Sequence, residues 1–211
     1  NNIDHHRSGD LVTLLDALHG RTDVLATTAG LYGRKAMLIV SSDLARQHPL
    51  LSYQIRASWR HFNASVYTVT VGPVREDKYS AAQVRVMPGQ ELEGVESLSE
   101  RLKKEPELVI LFGDAIQGEA VRRLVAFGDS LGIPVKYVCL VVYSNSRGAL
   151  DMGLAPDLGP GYQGVEGVPG MCLGEMLDCP DLDVLWVVVA NPLENRDLSS
   201  RGAFVVVQDL F

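Results

Sequence analysis

Apolar positions along the chain follow two spacings in turn. Short continuous runs occur at Ala36–Val40, Ser65–Val71, Glu107–Phe112, Val135–Val142, Asp183–Ala190 and Ala203–Gln208, rich in β-branched residues and bounded by Gly, Pro, Asp or Asn. Runs of this kind predict parallel strands covered on both faces. Helical spacing lies between them. Leu51, Ile55, Trp59 and Phe62 form one inward stripe, with Gln54, Arg56, Arg60 and His61 outside it. Val121, Leu124, Val125, Gly128 and Leu131 form another, stopped by Gly132-Ile133-Pro134. A first helix is expected after Asp10 as N-cap, with Leu11, Leu14, Leu15 and Leu18 inward and Gly20 ending it. Strand alternating with helix predicts an α/β fold: a Rossmann-like, doubly wound, mostly parallel sheet with helices on both faces.

No composition break divides residues 1–211, which are expected to form a single α/β domain. The one Gly/Pro-rich stretch is Pro156–Gly170, expected as a long loop within it. The chain opens Asn1-Asn2-Ile3-Asp4 without an initiator Met or a basic-then-apolar leader, and is expected to be a piece excised from a larger subunit. At 211 residues a substantial core forms without staples. Lys+Arg number 19 against 26 Asp+Glu, a net charge of −7, which argues against a nucleic-acid or anionic-membrane surface. The longest apolar runs fall far short of the ~20 residues that span a bilayer. Three cysteines, Cys139, Cys172 and Cys179, are too few for a disulfide framework and fit a reducing compartment.

Four strings imitate chemistry. Gly159-Pro160-Gly161-Tyr162-Gln163-Gly164 spells a dinucleotide fingerprint, but no strand precedes it and Pro/Gly-rich chain follows. It reads as loop. Phe127-Gly128-Asp129-Ser130-Leu131 looks like a lipase/esterase nucleophile block. All five histidines lie upstream of it, and it closes a helix rather than a strand. Asp4-His5-His6 places adjacent side chains that do not converge on one ion, and Cys172 with Cys179 lacks two further ligands. No catalytic residue and no metal site are expected in the chain.

Small polar residues do follow three of the strands: Ser41-Ser42-Asp43, Gly113-Asp114 and Ala190-Asn191-Pro192. Ligands of doubly wound sheets lie across such ends, although any parallel strand must turn there on similar residues. Ser41, Ser42, Asp43, Gly113, Asp114, Asn191 and Pro192 are therefore the candidate pocket.

Asn1-Asn2-Ile3-Asp4-His5 resembles a block of the molybdopterin oxidoreductase superfamily, in the form found in the large iron–sulfur subunit of respiratory NADH:quinone oxidoreductase, complex I. Thr27-Thr28-Ala29-Gly30, the strand Ala36–Val40, Pro49-Leu50-Leu51, Ile55-Arg56-Ala57-Ser58-Trp59 and Ala149-Leu150-Asp151-Met152-Gly153 are similar to that iron–sulfur subunit in content and order. The resemblance covers essentially the whole chain. It implies the molybdopterin-type, Rossmann-like domain of that subunit, here incomplete. In active relatives such sheets hold a pterin dinucleotide and a metal; in the respiratory subunit the domain serves as a cofactor-free scaffold. The resemblance places iron–sulfur clusters in an N-terminal part outside this chain, and NADH and quinone elsewhere in the complex. Its partners would be other domains of the same subunit and other subunits of the NADH dehydrogenase, at the cytoplasmic side of the inner membrane, with no membrane insertion and no nucleic acid.

Departures from the family pattern point the same way. The family's Gly-x-Asn-Pro after the first strand reads Ser41-Ser42-Asp43-Leu44 here, which sets a carboxylate where phosphate would lie. The slot of the metal-binding residue of active enzymes falls at Asp10, followed by Leu11-Val12-Thr13-Leu14, and Asp10 is more simply a helix cap. The candidate pocket is then vestigial. The alternative is a fragment of an active molybdopterin-dependent oxidoreductase, with Ser41, Ser42, Asp43, Gly113, Asp114 and Asn191 around the cofactor. A Ser130 hydrolase is the third, weakest option.

Overall fold

A computed structural model describes residues 9–19, 21–113, 115–141, 146–156, 158–164, 170–171, 173–189 and 202–209. The chain divides into two compact units within the stretch expected as a single domain: Gly9–Val142, and a second that takes in Tyr143–Phe211.

The first unit is built on five strands: β1 (Ala36–Val40), β2 (Ser65–Thr70), β3 (Ala82–Arg85), β4 (Leu108–Phe112) and β5 (Val135–Cys139). They pair in parallel in the order β3-β2-β1-β4-β5. Every residue of β1 and β4 is buried, as continuous apolar strands of an interior parallel pair must be. Among the described residues six helices accompany the sheet: α1 (Gly9–Ala17), α2 (Leu44–Gln47), α3 (Pro49–Phe62), α4 (Glu91–Ser97), α5 (Ser99–Leu102) and α6 (Glu119–Ser130). Met37, Ile39, Val66, Val109 and Leu111 form one sheet face, against Ile55 of α3 and Leu44 of α2. Alternation puts Leu38, Tyr67, Ile110 and Tyr137 on the other face. There α4 lies on Val69 and Val84 through Gly94, and α6 lies on Tyr137 and Val135 through Gly128. The unit is a Rossmann-like α/β fold.

Three local expectations are corrected. Helix α1 begins at Gly9, so Asp10 stands inside its first turn rather than ahead of it. On α3 Ile55 is buried and Leu51 packs half-buried against the same core, as expected, but the rest of the inward side is Ser52 and Ser58. Ser58 Oγ donates to Leu31 O at 3.0 Å and accepts from Gly33 N at 3.0 Å, which lets a hydroxyl replace an apolar contact. Trp59 and Phe62 move to the flanks, where Trp59 meets Tyr79 (centroids 5.0 Å apart) and Phe62 meets Tyr32 edge-on (4.9 Å). Strand β3 was not expected: Ala82–Arg85 alternates half-buried and exposed residues, the pattern of an edge.

The second unit holds α7 (Ser146–Asp151), β6 (Leu158–Gly159), β7 (Gln163–Gly164), α8 (Leu173–Asp178), β8 (Val184–Val188) and β9 (Phe204–Gln208). Strands β8 and β9 form a parallel pair of their own and do not join the five-stranded sheet. Leu185 and Val187 bury against Leu177, but Val184, Trp186 and Val188 are exposed, and so is all of β9. The expectation of burial on both faces fails for these two strands. Among the described residues no helix is long and apolar enough to cross a membrane.

Candidate functional site

In the five-stranded sheet the strand order reverses between β1 and β4, and ligands of such sheets lie outside the carboxyl ends of the strands at that point. Ser41, Ser42 and Gly113 meet there. Ser41 N donates to Val69 O at 2.8 Å, and Gly113 N points to Val40 O at 3.4 Å. A Cβ on Gly113 would stand 3.4 Å from Ser41 O and 3.5 Å from Ser42 Cβ, so the two strand ends are already in contact. Ser41 takes a left-handed backbone (φ 47°), unusual for a residue with a side chain. Its Oγ is buried without a hydrogen-bond partner among the described residues. Ser42, also buried, donates through Oγ to Gln47 Oε1 at 2.8 Å.

Among the described residues, the charged ones nearest these strand ends in the chain are acids paired with arginines. Asp43 immediately precedes α2 and pairs with Arg46 at 3.4 Å. Glu119 opens α6, the helix that leads away from β4, and stands 3.9 Å from Arg122. Each helix start beyond the switch-point strands therefore carries an acid in its sequence, a placement the helix dipole favours, and neither acid caps its helix through a side-chain hydrogen bond. Glu119 was not among the residues singled out in the sequence, although an acid at the first position of a helix is a readable signal. To a pterin pyrophosphate the described candidates Ser41, Ser42 and Gly113 offer one unpartnered hydroxyl, Ser41 Oγ, and no charged donor of their own.

Asp114, Asn191 and Pro192 lie outside the described residues, as do Asp4, His5, His6 and Cys172. The strand that precedes Asn191 belongs to the separate β8–β9 pair. Among the described residues no group of three or more His, Cys, Asp or Glu could hold a metal ion.

Ser130 is accounted for structurally. Its Oγ donates to Phe127 O at 2.7 Å, and Asp129 forms a two-pronged pair with Arg21 at 3.0 and 3.1 Å. The glycine string at 159–164 is the hairpin β6–β7 around a 3-10 turn, with no helix start for a phosphate to meet.

One buried polar group escaped the sequence signals. Glu76, fully buried in the 3-10 turn Arg75–Tyr79, accepts from Ser52 Oγ at 2.6 Å through Oε1, while Oε2 has no partner among the described residues. The Tyr79 phenol beside it is also unpartnered, and burial together with the Glu76 charge pushes it up to about 12. The neighbouring Asp77 is fully engaged, by Thr68 Oγ1 at 3.0 Å, by Val74 N at 2.8 Å and by Arg85. These groups tie α3 and the 3-10 turn to the edge of the sheet.

Compared with protein families and with curated proteins, the chain matches no family model and no curated sequence.

Proposed function

We propose that this chain is a scaffold and docking domain that performs no covalent chemistry itself, within the large iron–sulfur subunit of a respiratory NADH:quinone oxidoreductase. The observation that carries the cofactor-free reading is the pair of carboxylates, Asp43 and Glu119, at the helix starts beyond β1 and β4. A dinucleotide phosphate brought there would have to compete with these carboxylates for Arg46 and Arg122, which they already engage. The parent assignment rests on the ordered sequence blocks from Asn1-Asn2-Ile3-Asp4-His5 to Ala149–Gly153. In the parent, clusters outside this chain carry electrons from NADH toward quinone, at the cytoplasmic face of the membrane.

A second reading, a fragment of an active pterin-dependent oxidoreductase, draws on Ser41, whose buried hydroxyl has no partner among the described residues. One hydrogen bond does not outweigh two carboxylates.

Purification of the parent subunit through an affinity tag in its native host tests the assignment. Co-purification of NADH-oxidising, quinone-reducing activity with flavin and iron is the expected result. A parent that purifies without any NADH-oxidising partner contradicts it.

A further inference from the structure

Between Asp43 and Glu76 the sequence carries four arginines (Arg46, Arg56, Arg60 and Arg75) and no acid, in a chain whose net charge is −7. Helix α3 turns the middle of that stretch outward. Leu50, Tyr53, Arg56 and Arg60 recur at spacings of three and four and so share its outer stripe, with Trp59 on the flank. Leu50 is 77% and Tyr53 72% exposed, high values for large apolar side chains on a helix that has its own buried face. Arg56, Arg60 and Arg75 are exposed and form no ion pair among the described residues. At the C-terminal end of α3, Trp59, Arg60, Asn63 and Ala64 line a hollow of about 300 Å³. That hollow joins an aromatic surface, a guanidinium and a carboxamide, the elements that seat an apolar side chain beside a carboxylate.

We propose that the outer face of α3 is a docking surface for an acidic protein segment, which sets carboxylates on Arg56 and Arg60 and an apolar anchor in the hollow beside Trp59. Exposed aromatic residues interleaved with arginine have the composition of protein interfaces. The exposed guanidiniums select carboxylates, and the acid bonded to this helix through Ser52, Glu76, is fully buried and makes no ion pair with them among the described residues. A polyanion such as a nucleic acid or an anionic bilayer would feel the whole field of a −7 chain, whereas a short acidic segment engages the local patch. A second copy would bring the same net charge against this one. The inference uses only this chain's own surface and stands whichever parent protein the chain belongs to.

Selection of random 12-residue peptides displayed on phage against the full chain tests it. The expected result is enrichment of peptides that combine Asp or Glu with Leu, Phe or Trp. Their synthetic forms should bind at least tenfold more weakly to Arg56→Glu/Arg60→Glu, and at least tenfold more weakly in 0.5 M salt. The charge-matched control Lys103→Glu/Lys104→Glu should bind them as the unaltered chain does, and both variants should keep its far-ultraviolet circular dichroism. No enrichment overturns the proposal, as does enrichment without acidic residues or equal binding to the Arg56/Arg60 variant. Arginine-dependent flotation with phosphatidylglycerol vesicles would overturn it in favour of a membrane surface. Arginine-dependent dimerisation in sedimentation would overturn it in favour of a second copy.

Discussion

Gly128 on α6 lies directly over the phenol of Tyr137 on β5, so closely that a methyl group at Gly128 would overlap the tyrosine oxygen. Tyr137 Oη donates to Val125 O at 3.2 Å from beneath the same helix. The glycine is thus required by the approach of helix to sheet. It is also the residue that makes Gly128-Asp129-Ser130-Leu131 look like a hydrolase motif.

Gly128→Ala should therefore destabilise the fold by about 1–3 kcal/mol, the usual cost of overpacking. Gly128→Ala/Tyr137→Phe should recover only part of the loss, because the added Cβ would still sit 3.1 Å from ring Cζ and 3.3 Å from Val135 Cγ1. Urea melts of the two single variants and the double variant give the coupling. Ser130→Ala, by contrast, should stay within about 0.5 kcal/mol of the unaltered chain.

The tyrosines of the first unit separate by partner. Tyr67 Oη donates to Glu105 Oε1 at 2.6 Å, whereas the Tyr79 hydroxyl is buried without a partner among the described residues. Tyr67→Phe should cost about 1–2 kcal/mol. Tyr79→Phe should be neutral or stabilising, since it removes an unsatisfied buried hydroxyl and keeps the ring against Trp59. Thermal melts with the change in circular dichroism as readout distinguish the two.

Alkaline pH should weaken the fold through the same groups. Burial, then the bond to Glu105, pushes the Tyr67 phenol up to about 12; burial, then the Glu76 charge, does the same for Tyr79, and burial raises Tyr137 as well. A phenol whose folded pKa exceeds its unfolded value of about 10 stabilises fully below pH 10. That contribution is lost as pH rises from about 10 toward 12, because the unfolded chain gives up the proton first. Unfolding free energies at pH 8, 9.5, 10.5 and 11.5 should fall over the last intervals, and Tyr67→Phe and Tyr79→Phe should each make the fall shallower.

Ser52 and Glu76 make a one-sided buried pair, with one carboxylate oxygen bonded and the other not. Ser52→Ala strips the remaining partner and should destabilise by about 1–3 kcal/mol. Glu76→Gln keeps an acceptor for Ser52 without burying a charge and should be much milder. Chemical denaturation of both variants at one pH compares them directly.

Strands β1 and β4 were legible because an interior parallel strand is apolar throughout and its ends are turn residues. The buried stripe of α6 was legible for the same reason of periodicity. Strand β3 was not, since an edge needs only alternate burial and Ala82-Gln83-Val84-Arg85 carries too short a pattern. The inward side of α3 was legible at Leu51 and Ile55 but not at Ser52 and Ser58, which are buried through hydrogen bonds that depend on Glu76, Leu31 and Gly33, all distant in sequence. The position of Ser41, Ser42 and Gly113 at the strand ends was legible because the apolar runs of β1 and β4 stop just before them. The left-handed Ser41 and the contact between Ser42 and Gly113 have no sequence signal, because both follow from the register of β1 against β4.

The cofactor-free reading of the switch-point cleft is tested most directly on the full-length parent, purified with its iron content intact, by assay of molybdenum, tungsten and pterin. On the scaffold reading, with Asp43 and Glu119 beside the helix starts beyond β1 and β4, all three should be absent at stoichiometric levels. Stoichiometric metal and pterin would contradict the scaffold assignment and make the cleft beside Ser41 a working site.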